Sequence, residues 1–130
     1  MKELPGRYRD FRRQFPAISG AYDDLGRMLA EAGPLDEKQI QLIKLGMAVA
    51  SGQEGAVHSH ARRALEAGAK PEEIRQVALL AMTTVGFPRM MAGMSWIDDV
   101  LDGGLGGKRK APRQGLTPAP GIKKQRGDGR

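Results

Sequence analysis

Helix punctuation is the feature that most constrains what this chain can fold into. Gly33-Pro34, Gly52, Gly68 with Pro71, Gly86 with Pro88, and Gly103-Gly104 cut the first hundred or so residues into consecutive segments. Glycine just past a helix end and proline in a first helical turn are stop and start signals with distinct physical causes: tolerance of a left-handed backbone, and an N–H that is not needed there. Tyr22, Leu25, Met28 and Leu29 form one apolar stripe, with Ser19 as the expected cap. Asp36 followed by Gln39 has the form of a capping box, opening a helix through Ile40, Ile43, Leu45, Met47 and Val49 to Gly52. The next helix runs from about Glu54 to Ala67, and Gly68 ends it. Pro71, Glu72 and Glu73 make a first turn whose acids favour the positive helix end, and Ile74, Val77, Ala78, Ala81 and Val85 give that helix its stripe. No convincing strand interrupts this order, so the expected class is all-α with short connections.

The last segment, from Pro88, carries Met90, Met91, Met94, Trp96, Ile97, Val100 and Leu101 and is apolar almost all round. Such a helix is either central to the monomer or buried twice, once in its own core and once against another subunit. A body of about 100 residues rarely encloses a helix completely, which favours the second. Met82, Met90, Met91 and Met94, near Trp96, read as soft apolar packing. Ahead of Ser19, Arg7, Arg9, Arg12 and Arg13 alternate with Tyr8, Phe11 and Phe15. Aromatics among arginines can stack on nucleic acid, but no nucleic-acid motif accompanies them. The expectation is an N-terminal helix with its aromatics on the body and its arginines in solvent.

The formal charge of +6 is unevenly placed. Residues 103–130 hold eight basic residues against Asp128 alone, a charge of +7, whereas residues 1–102 hold thirteen basic and fourteen acidic residues, a charge of −1. The basic stretch has eight glycines and three prolines and few large apolar side chains, so it is expected to be disordered. The division is therefore a helical domain over 1–102 and a tail over 103–130. Several tails on one oligomer could bind nucleic acid or an acidic partner through residues 108–130; a solubilising extension is the other reading.

The chain has no cysteine, which removes disulfides, cysteine-based zinc sites and thiol peroxidase chemistry. No run approaches the roughly 18 to 20 apolar residues of a membrane helix, and Lys2, Glu3, Pro5 and Arg7 do not resemble a signal peptide, so a cytoplasmic protein without membrane contact is expected.

Helical spacing places Gln53, Ala56 or Val57, His60 and Ala64 on one face, with small residues around a single imidazole. This face is either a ligand site or the setting of a satisfied, half-buried histidine. His58 points away from it, towards Glu54 and Arg62, and reads as exposed or subunit-facing and paired with Glu54. Alternate helical positions diverge by about 200°, so His58 and His60 cannot chelate one ion, and no metal is expected. Glu54 stabilises the helix dipole or acts as an acid or base across a subunit boundary. Gln41, on the preceding helix, either packs or reaches the Gln53–His60 face to orient a ligand or the imidazole. Thr83 and Thr84 either supply hydroxyls or bond back to helix carbonyls.

The runs LDEKQIQLIKLGMAVASG, EGAVHSHARRALEAG and KPEEIRQVALLAMTTVGFPRMM resemble the carboxymuconolactone decarboxylase family, which includes the alkylhydroperoxidase D-like proteins. The likeness covers about Ala21 to Val100, and the block from His60 to Gly68 is its most specific part. It implies an alkylhydroperoxidase D-like bundle of about five or six helices, assembled into homotrimers or homohexamers. The peroxidase branch of the family resembles a relay of Glu, a Cys-x-x-Cys pair and His; those positions here hold Gln41, Gln53, Ala56 and His60. Neither glutamine nor alanine can be oxidised reversibly, so the dithiol mechanism is excluded. The decarboxylase branch lacks the cysteines and converts 4-carboxymuconolactone to an enol-lactone and carbon dioxide without metal or organic cofactor. The resemblance implies His60 as acid or base towards a lactone or keto acid, Gln41, Gln53 and Glu54 as substrate-binding residues, and no cofactor. The alternative is a non-catalytic oligomeric scaffold or small-molecule-binding protein.

Overall fold

The computed structural model describes residues 6–103, and their order is α1 (Gly6–Gln14), α2 (Pro16–Glu31), α3 (Glu37–Ser51), α4 (Glu54–Glu66), α5 (Pro71–Val85) and α6 (Phe87–Leu101). The tail expected to be disordered lies outside the described residues apart from Gly103. Among the described residues there is no strand, and no helix is long and apolar enough to cross a membrane.

Local signals set most boundaries. Asp36 Oδ1 accepts from the Gln39 N–H at 2.8 Å while Gln39 Oε1 accepts from the Asp36 N–H at 3.0 Å, closing the capping box in both directions. At the far end of α3, Gly52 sits at φ +68°, and its N–H reaches the carbonyls of Ala48 and Val49. The Arg89 guanidinium lies against its α-carbon, so a side chain at Gly52 would be strained and crowded together. Pro71 opens α5, and Glu73 Oε1 accepts from the Lys70 N–H at 3.0 Å. The second helix begins a turn earlier than its sequence suggests: Pro16 supplies the first turn, and the Ser19 N–H already donates to the Phe15 carbonyl, so Ser19 is an interior position and is buried.

Helices α3 to α6 form the body around the fully buried Leu45, Val49, Val57, Ile74 and Ile97. The closest seams are α5 with α6 and α3 with α4, and α6 also lies against α4 and α3. Gly93 permits that last approach: a Cβ there would stand 2.6 Å from Val49 Cγ1. Of the methionines grouped by sequence, Met90 enters the core and Met94 packs on it beside Trp96, whereas Met82 and Met91 are exposed. On α6, Met90, Gly93 and Ile97 face the core while Phe87 and Met91 face outward, so this helix is apolar on two sides with one of them covered.

The N-terminal helices are arranged differently from the expectation. α1 folds back on α2, tied by Arg12 to Asp23 at 2.6 Å, and this pair makes at most marginal contact with the body. Phe11 and Phe15 pack against each other in a tilted pair with ring centroids 5.5 Å apart, and Arg12 lies over the Tyr8 ring, instead of the aromatics packing on the body. The α2 stripe of Ile18, Tyr22, Leu25, Met28 and Leu29 is exposed throughout.

Candidate active site

The site is built where α3 and α4 run side by side. The capping box fixes the start of α3 and places Glu37 and Gln41 one turn apart on one face, so their side chains meet: Gln41 Nε2 donates to Glu37 Oε1 at 2.8 Å. Gln41 is buried, and its carbonyl Oε1 is 2.8 Å from His60 Nδ1 on α4. The directions of these bonds determine one another. A carboxylate only accepts, so the Gln41 amide nitrogen faces Glu37; the amide oxygen then faces the imidazole, which donates through Nδ1–H. His60 Nε2 is left with its lone pair.

Burial of the ring holds the His60 pKa below its usual value of 6.5, and the positive charges of Arg63 and then Lys44 push it further the same way. The imidazole is therefore neutral at neutral pH, in a setting that also offers cationic groups. A polar cleft of about 350 Å³ lined by Glu37, Gln41, Arg63, Glu66 and Ala67 opens beside it. A larger groove of about 500 Å³ runs between α3 and α5, but its walls, including Leu42, Ile43, Val77 and Leu80, are mainly apolar. The smaller cleft is walled by Glu37 and Gln41, the two residues that lead to His60, and by Arg63; the imidazole itself stands behind Gln41 and does not line it.

Of the residues singled out by sequence, His60 and Gln41 are brought together. Gln53 is the exposed N-cap residue of α4, and its side chain takes no part in the Glu37–Gln41–His60 chain. Glu54 lies on the other side of α4, where its carboxylate comes within 4.8 Å of the ligand atoms of His58 and Asp99. His58, expected to be exposed or subunit-facing, is buried, because its side of α4 meets α6; its Nε2 is 3.0 Å from Asp99 Oδ2. Thr84 bonds back to the Leu80 carbonyl at 3.3 Å. Glu37 was not singled out by sequence; its position four residues before Gln41 was the available signal.

The model of the carboxymuconolactone decarboxylase family matches residues 16–99, which spans α2 to α6 and both members of the His60–Gln41 pair. The chain belongs to the carboxymuconolactone decarboxylase family. A crystal structure of a family protein from Legionella pneumophila, in its apo form, is similar over 74% of this chain and 86% of that one, with a TM-score of 0.66 and 23% sequence identity. At that identity the likeness speaks for the fold alone. No curated protein matches the sequence. The family's fold is thus present without a cysteine anywhere in the chain.

Proposed function

We propose that this family member is a cofactor-free lyase that acts on a lactone or keto acid, with His60 as the group that moves the proton. The observation that carries this reading is the Glu37–Gln41–His60 chain, which fixes the imidazole tautomer and leaves Nε2 free. A decarboxylation breaks a carbon–carbon bond, releases carbon dioxide and leaves the electron pair on a carbon conjugated with the carbonyl. That carbon then needs a proton, supplied from water through His60 Nε2. An imidazole of lowered pKa is, once protonated, a stronger acid than an ordinary imidazolium, which favours transfer of its proton to the carbanion. Arg63 and Lys44, whose charges act on His60, are the groups suited to holding the substrate carboxylate. Gln41 is a positioning residue: it orients the ring and is held in turn by Glu37.

The test compares wild type and His60→Ala by thermal stabilisation against lactones, β-keto acids and dicarboxylates, followed by a carbon dioxide release assay on any compound that binds. A ligand selective for the folded protein raises stability by RT ln(1 + [L]/Kd). Stabilisation of wild type that His60→Ala abolishes supports the reading; equal shifts in both proteins, or none in either, overturn it.

The exposed stripe on α2 favours a second element of this reading, assembly into a homo-oligomer. A solvated row of Ile18, Tyr22, Leu25, Met28 and Leu29 is out of keeping with a monomer. In the alternative non-catalytic scaffold, assembly is the function and His60 is dispensable. Light scattering on Leu25→Asp checks the assembly: loss of the oligomer with the helical signal retained is the expected result.

A further inference from the structure

On the opposite face of α4 from the candidate active site, three side chains converge that the proposed reaction does not use. Glu54 and His58 are one turn apart on α4, and Asp99 comes to them from α6. Their ligand atoms all lie within 4.8 Å of one another, and His58 Nε2 is already 3.0 Å from Asp99 Oδ2. That separation matches the roughly 3.0–3.4 Å between neighbouring donors around an ion with bonds of about 2.1 Å. The imidazole is buried, Asp99 is partly buried and Glu54 is exposed, so the cluster has a buried floor and an open mouth. The charge is also unbalanced. Among the described residues no lysine or arginine pairs with Glu54 or Asp99; the nearby Arg75 is taken by Asp98 and Asp102. Two carboxylates therefore face one imidazole.

We propose that Glu54, His58 and Asp99 form a binding site for a divalent first-row transition ion, with zinc as the best-fitting probe. One nitrogen and two carboxylate donors from two helices supply three ligands and leave a position open for water or an acid ligand. Zinc takes the place of the proton that His58 Nε2 now donates to Asp99; that proton passes to solvent as Nδ1 takes one up, so the ring binds as a neutral imidazole, and the Glu54 side chain closes over the ion from solvent. His60 stays outside this site, because its ring faces α3.

The experiment is calorimetric titration of chelator-treated full-length protein with zinc chloride, with magnesium chloride as the comparison. One zinc per chain at micromolar or tighter Kd is expected, with much weaker magnesium binding. Glu54→Gln, an exposed change that leaves the fold intact, and Asp99→Asn each weaken zinc at least about tenfold, whereas His60→Ala leaves it unchanged. The chain has only two histidines, so this contrast assigns the site. No zinc binding at 100 µM, or binding lost in His60→Ala and kept in Glu54→Gln, overturns the proposal.

Discussion

The two faces of α4 set identical imidazoles in opposite surroundings. His58 faces α6, is buried, and has carboxylates from Glu54 and Asp99 near it. His60 faces α3, is half-buried, bonds an amide, and feels the positive charges of Arg63 and Lys44. A step of two residues turns the side chain by about 200°, enough to exchange a direct carboxylate partner for a neutral amide with cations nearby. What separates the surroundings of the two histidines here is helical phase, and the neighbouring helix supplies the rest.

If the faces are independent, disturbing α6 must affect His58 alone. Ile97 is fully buried on α6, two residues before Asp99, and Ile97→Ala is expected to cost about 2–5 kcal/mol in urea unfolding. Under conditions where the variant stays folded, the NMR signals of His58 should move while those of His60, held by α3, remain near wild type. Movement of both rings equally would show that α4 responds as one body and would break the comparison.

Deleting the rings separately gives the next largest difference. His58→Ala removes a buried, hydrogen-bonded group and leaves Asp99 without its partner, a loss of about 1–3 kcal/mol. His60→Ala takes the partner from the buried Gln41 carbonyl, but water can enter at this half-buried position to meet it, so the loss should be smaller, about 1 kcal/mol, while ligand-induced stabilisation is abolished. A reversal of this order in chemical denaturation would mean that the burial difference does not govern the energetics.

Much of this arrangement could be read from the sequence because it depends on local chemistry. Capping residues, the glycine at position 52 and the proline at 71 act within one turn, so the boundaries of α3, α4 and α5 follow from them. The pairing of Gln41 with His60 was one of two open readings, and it needed only that α3 and α4 be neighbours. The errors share a cause. Placing His58 outside and the N-terminal aromatics on the body each required knowing which helix covers which face. That depends on non-local packing, such as the approach of α6 that Gly93 permits, and helical periodicity alone does not encode it. Ser19 failed for the opposite reason: two local signals competed, and proline at the first turn outweighed the serine cap.

The smallest expected effect tests the electrical half of the comparison. Burial is the main cause of the lowered His60 pKa, and Arg63 is the next. Arg63→Gln removes one charge and leaves the ring buried, so the His60 pKa should rise yet stay below 6.5, followed by its Cε1–H resonance. Lys44→Gln should move it in the same direction by less. The sign carries into stability. Because the folded-state pKa lies below the unfolded one, the unfolded chain takes up the proton first; stability therefore falls as pH drops from about 6.5 towards the folded-state value, and the contribution is constant above that window. Arg63→Gln should narrow the window from its acid side. A His60 pKa well above 6.5 in wild type would leave the ring largely charged at neutral pH, and the neutral Nε2 on which the proposed proton transfer rests would be lost.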